Sequence, residues 1–161
     1  MIHRDTHQVE QTVPNSNTVT TSVQLDVSKE TALAQLHAFE NLIMLNPLVV
    51  SFERLNCCLN DPRSYCYKIV DELKVLGMTF SQTYTANIIL LDDGASVSIK
   101  ASLGVSTTSR WVVEECGMKR VIISEASKVE CPRILQSYVI SQIKSSHLVL
   151  IRELCKKLKS K

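Results

Sequence analysis

The sequence predicts an α+β domain: a curved antiparallel sheet of seven strands, two short helices, and a long C-terminal helix laid over the sheet with an apolar cavity between them. Three observations predict it. Strand-like stretches follow one another through the middle of the chain, parted by short turn-forming segments, which makes an antiparallel meander. Helical signals break the strands once, between Ser28 and Pro47. From Pro132 to the last residue there is neither glycine nor further proline, and apolar residues recur at spacings of three and four. A straight helix on a curved sheet touches it at the rim and leaves room midway.

The elements read in order as follows. Residues 1–17 are rich in Thr, Gln, Asn and His without periodicity and read as a flexible tail, with residues 18–161 as a single domain. "TVTTSVQLDV" sets Val19, Thr21, Val23, Leu25 and Val27 on one face of a strand. Ser28 is a good N-cap, Thr31 to Phe39 reads as helix, and a second short helix joined near Glu40 ends at Asn46-Pro47, because proline pushes its predecessor out of helical geometry. "LVVSFERLN" is a strand and "NDPRS" a turn. "YCYKIVDELKVLG" and "MTFSQTYTANIILL" are two long strands that part near Gly77. "DDG" turns into "ASVSIKASLG", where Ala95, Val97, Ile99 and Ala101 alternate with polar residues. "VSTTSRWVVEEC" and "KRVIISEASKVE" form the last hairpin, around Gly117. Pro132 then suits a first helical position, where a missing N–H costs nothing. Along that helix Leu135, Val139, Ile143, His147, Ile151 and Leu154 form a stripe about 40 Å long, flanked by Tyr138, Gln142 and Leu150.

Composition bounds the function. The chain has 161 residues, 45% hydrophobic and 21% charged, which is ordinary for one globular domain with a real core. A net charge of +2 is too small to imply a nucleic-acid partner, and the terminal "KKLKSK" suits a solvated helix end. Cysteines at 57, 58, 66, 116, 131 and 155 lack the CxxC spacing of metal or redox sites, so no metal is expected and the thiols are expected to be reduced. The polar start lacks a secretory core, and no apolar run approaches 18 residues, so no membrane span and a cytoplasmic location are expected. An exposed edge strand would permit pairing, so monomer and homodimer both stand.

The element order, the "LNP" after the short helices, the glycine hairpins and the long final helix together resemble the helix-grip fold, the superfamily of START lipid-binding domains, aromatic polyketide cyclases and birch-pollen-type allergens. The runs "ASLGVSTTSRWVVEE" and "ISEASKVECPRILQSYVISQIKSSHLVLIREL" more narrowly resemble a family of small fungal proteins within it. The likeness covers about residues 18–158. It implies a small hydrophobic ligand held between sheet and helix, with no metal or organic cofactor. Three functions are compatible with it. One is a cofactor-free cyclase or isomerase acting on a polyketide- or terpenoid-like intermediate of fungal secondary metabolism, another is a carrier or sensor of a lipid, sterol or pigment, and the third is a partner-binding module whose cavity is vestigial.

Candidate site residues are the polar groups aimed at that cavity. Glu125 shares a face with Val121, Ile123, Ser127 and Val129, and Asp71 with Tyr65, Tyr67, Ile69 and Leu73. A carboxylate on an apolar face gains a raised pKa and acid–base capacity, unless it sits at the rim or pairs with Arg110. His147 lies mid-length on the helix stripe, where it can shuttle a proton or simply bond within the core. Tyr67, Tyr84 and Tyr138 can line the pocket or pack in the core, and Gln82 shares the face of Phe80 and Tyr84. Of Arg110 and Trp111 only one can point inward; Trp111 is favoured, since an unpaired buried guanidinium is costly. His147, Glu125, Tyr84, Asp71 and Arg110 are thus the catalytic candidates. Tyr67, Phe80, Gln82, Val97, Ile99, Trp111, Ile123, Tyr138, Val139, Gln142 and Ile143 are the ligand-binding ones.

Overall fold

A computed structural model describes residues 9–15, 17–56, 61–75 and 77–159. The strands are β1 (Val9–Asn15), β2 (Thr18–Leu25), β3 (Val49–Leu55), β4 (Ser64–Val75), β5 (Met78–Leu91), β6 (Gly94–Lys100), β7 (Ser106–Gly117) and β8 (Arg120–Glu130). The helices are α1 (Lys29–His37), α2 (Phe39–Leu45) and α3 (Arg133–Lys159). All seven expected strands pair antiparallel in one sheet, ordered β1-β2-β8-β7-β6-β5-β4-β3. The eighth strand, β1, is a correction: residues 9–15 lie within the expected flexible tail, yet they pair with β2 at the sheet edge, Val9 opposite Val23 and Gln11 opposite Thr21. An edge tolerates the polar composition and Pro14, which has no N–H to give. Cys57-Cys58 lies outside the described residues.

The alternation read from sequence sets the inner face. Val19, Thr21, Val23 and Leu25 of β2 are buried, as are Val121, Ile123, Glu125, Ser127 and Val129 of β8. The two short helices meet at Ala38, and Ser28 caps α1 by accepting from the Thr31 N–H at 3.2 Å. His37, expected in packing, also anchors α1. Its Nε2 donates toward the carbonyl oxygens of Leu91 (3.1 Å) and Gly94 (2.9 Å) at the β5–β6 turn. Glycine is required at 94, because a Cβ there would stand 2.0 Å from the Trp111 carbonyl oxygen.

Helix α3 is buried unevenly, and that unevenness shapes the site. Leu150, Ile151, Leu154, Cys155 and Leu158, all in its C-terminal half, are buried in the core. Each full burial of such a leucine or isoleucine contributes about 1.5–3 kcal/mol. In the N-terminal half, Leu135, Val139 and Ile143 are only partly covered and Tyr138 is 36% exposed. One half of the helix therefore anchors it, and the other half spans a gap.

Candidate functional site

The gap is a cavity of about 210 Å³. Its roof is Tyr138, Val139, Gln142, Ile143, Ser146, His147 and Leu150 of α3, with Phe39, Leu42 and Ile43 of α2 at one side. The floor includes Ala86, Val97, Ala101, Thr107 and Ser109, and small side chains there create the volume that larger ones would fill. Ile69, Ile99 and Trp111 complete the apolar wall.

Two polar stations face this space. The first joins helix to sheet: His147 Nδ1 on α3 lies 2.7 Å from Glu125 Oε2 on β8. The two form a buried ion pair, and among the described residues no other hydrogen-bond partner is placed for either atom. Glu125 is 3% exposed and the His147 side chain 19%, so the imidazole is the reachable member. Burial alone would lower the His147 pKa; the adjacent carboxylate outweighs it and holds the imidazole above its ordinary value. Behind the pair, Ser127 donates to Glu125 Oε1 at 3.2 Å, and Ser109 and Ser127 hydroxyls lie 2.7 Å apart across β7 and β8.

The second station is on the far wall, where Tyr84 of β5 donates to Asp71 Oδ1 of β4 at 3.1 Å. Burial pushes Asp71 up to about 6, with the Tyr84 hydrogen bond opposing the rise. The Tyr84 phenol is pushed far above its ordinary value by burial and then by the Asp71 charge. Gln82 stands beside them, in register with Asp71. Three strand steps separate β8 from β5, so the stations face each other across the cavity.

Most sequence-read site residues converge here: His147, Glu125, Tyr84, Asp71, Gln82, Val97, Ile99, Trp111, Tyr138, Val139, Gln142 and Ile143 all line the cavity. Four do not. Arg110 points to the outer face, where it pairs with Asp93 at 2.5 Å and donates to the Trp111 carbonyl. That leaves Trp111 inward, 3% exposed. Tyr67 is buried in the core, packs edge-on against Phe52 at 6.1 Å and donates to Glu40 Oε1 at 3.2 Å. Ile123 is wholly buried under the core. Phe80 is 48% exposed, because β5 runs on past the end of β6 and carries it clear. The readings that Glu125 sits at the rim or pairs with Arg110 are also displaced, since its partner is His147. Sequence reading missed Ser109 as a site residue, although its parity with Trp111 on β7 marks it as inward.

Among the described residues no group of three His, Cys, Asp or Glu side chains is placed to hold a metal ion. Nor is any helix there long and apolar enough to cross a membrane. Cys116, Cys131 and Cys155 are free thiols.

A sheet gripped by one long helix over a mostly apolar cavity is the START-type, helix-grip architecture. A START superfamily protein from Mycobacterium smegmatis shares it with a TM-score of 0.70 at 14% identity, over 89% of this chain and 98% of that one. The Zhui aromatase/cyclase of Streptomyces sp. R1128 aligns with a TM-score of 0.71 at 10% identity, over 88% and 93%. A Thalictrum flavum norcoclaurine synthase point mutant, in complex with a transition-state analogue, gives 0.66 at 14%, over 95% and 97%. Identities this low carry the fold alone. No curated protein matches the chain in sequence. Residues 13–160 match the model of the DUF7053 family, described as a domain of unknown function, and the chain belongs to that family.

Proposed function

We propose that the protein binds a small hydrophobic molecule in this cavity and acts on it as a cofactor-free cyclase or isomerase, with His147 transferring the proton. The observation that carries this reading is the Glu125–His147 pair, a buried charged couple whose reachable member opens into an otherwise apolar space. Burying such a pair is costly, and a purely apolar wall would hold a guest without it. Glu125 keeps the imidazolium available near neutral pH. Its Nε2 gives a proton to the guest and takes one back at another position. The net change is an isomerisation or a triggered ring closure with no other reactant. Proton transfer of this kind contributes typically about 10²–10⁴-fold, and a cavity that fixes the reactive conformer adds more. The amides of Gln82 and Gln142 carry the donors that suit a carbonyl oxygen.

Size counts against the carrier reading. About 210 Å³ lies below the roughly 300–1,000 Å³ usual for drug-sized ligands, so a sterol would not be enclosed. The likeness of two stretches to small fungal proteins, together with the cyclase neighbours, supports a place in fungal secondary metabolism and a polyketide- or terpenoid-like substrate.

The test is to purify wild type and His147→Ala from the native host and examine both by native mass spectrometry for a bound small molecule. Each is then incubated with host extract. The expected result is that both carry the same compound and only the wild type converts it. Equal conversion by His147→Ala would remove His147 from the mechanism.

A further inference from the structure

The protons on the cavity wall constrain what the guest must bring. A serine hydroxyl has one proton and a tyrosine hydroxyl likewise. Ser127 commits its proton to Glu125 Oε1. In the 2.7 Å contact between Ser109 and Ser127 the shared proton therefore comes from Ser109. Ser109 lines the cavity, so it meets a guest with lone pairs only. On the opposite wall Tyr84 commits its proton to Asp71, leaving the phenolic oxygen and the carboxylate as acceptors. Gln82 and Gln142 present both kinds of group and impose no preference. Apart from the His147 Nε2–H that the proton transfer uses, the fixed polar atoms of both stations thus accept and do not donate.

We propose that the guest is a small ring compound carrying hydroxyl groups, phenolic or enolic, whose O–H protons are accepted by Ser109 at one wall and by the Asp71–Tyr84 pair at the other. Its apolar body lies against Trp111, Val97 and Ile69. Size agrees: an apolar cavity of roughly 150 Å³ takes up benzene, so one of about 210 Å³ takes a compound of one to two rings. A guest without O–H groups leaves buried acceptors stripped of water and unpaired, which is the costly case. This inference rests on the reading that the cavity binds an apolar molecule, and its test separates the two.

The probes are 2,7-dihydroxynaphthalene and 2,7-difluoronaphthalene, of similar shape but differing in hydrogen-bond donors, titrated calorimetrically into the full-length protein. The dihydroxy compound is expected to bind at least tenfold more tightly. In Ser109→Ala with Asp71→Asn that ratio is expected to shrink toward one, through weaker binding of the dihydroxy compound. Equal affinities in the wild type, or tighter binding of the difluoro compound, overturn the hydroxyl preference while the cavity reading stands. If neither probe binds, the cavity reading falls and the hydroxyl preference with it. Should the double variant not fold, the wild-type ratio alone decides.

Discussion

His147 on α3 and Glu125 on β8 stand 2.7 Å apart, so one buried ion pair ties the gripping helix to the middle of the sheet. The pair sits where α3 passes from its anchored half to its spanning half, between the cavity-lining Ile143 and the core residue Ile151. It is both a structural tie and the most exposed charge source for a guest.

Breaking the tie from one side should be expensive. Glu125→Ala leaves the buried His147 ring without its charged partner, and either a lone charge or a lost proton is expected to cost about 3 kcal/mol, lowering the thermal midpoint by about 6–12 °C in a chain of this size. Glu125→Leu combined with His147→Leu should recover most of that loss, since an apolar pair of similar volume carries no desolvation cost. Scanning calorimetry on the two variants checks both outcomes.

The sign of the His147 shift is also testable. In the wild type, imidazole NMR should show titration above the ordinary value of 6.5. In Glu125→Gln the titration should fall below 6.5, because burial then acts alone, with Asp71 on the opposite wall the other acidic side chain lining the cavity. The folded pKa of His147 is raised, so its stabilisation is fully present below the unfolded value. That stabilisation is lost as pH rises through the folded value. A wild-type titration below 6.5 would mean that Glu125 does not govern this site.

Asp71 runs the other way. Its carboxyl is raised from 3.8 to about 6, so between those values the folded state holds more protons than the unfolded one, and stability falls as pH climbs through that window. Asp71→Asn should therefore be more stable than wild type at pH 7, with the gap closing by pH 4. Urea midpoints at the two pH values measure it. In Tyr84→Phe, which removes the opposing hydrogen bond, the Asp71 carboxyl should titrate higher still.

Gly94→Ala tests how the Trp111 wall is seated. A Cβ 2.0 Å from a main-chain oxygen cannot be accommodated by a side-chain rotation, so β7 must move. The expected outcome is a marked loss of thermal stability with a shift in Trp111 fluorescence, Trp111 being the chain's only tryptophan.

The sequence made the faces legible, and distance along the strands much less so. Parity put Glu125, Asp71 and Tyr84 inward, because a one-residue slip would have exposed every apolar neighbour, and the cost of an unpaired buried guanidinium decided for Trp111 over Arg110. Parity also put Tyr67, Ile123 and Phe80 on the inner side of their strands, yet none of them lines the cavity. Where a residue falls relative to the helix depends on strand overhang: β5 outruns β6, and Phe80 goes with the overhang. Strand β1 escaped notice because its pattern is polar and its pairing partner, β2, supplies the order. Ser109 escaped because serine on a strand reads as a solvent residue. Only its partner Ser127, 18 residues later, gives it a role.

A guest is expected to sit between α3 and the sheet, beside the His147–Glu125 pair. Intermolecular NOEs from bound 2,7-dihydroxynaphthalene test it most directly. Contacts are expected to Val139 and Ile143 on the helix and, simultaneously, to Val97 and Trp111 on the sheet. Contacts confined to the exposed Phe80 and Ile134, with none to those four residues, would contradict it.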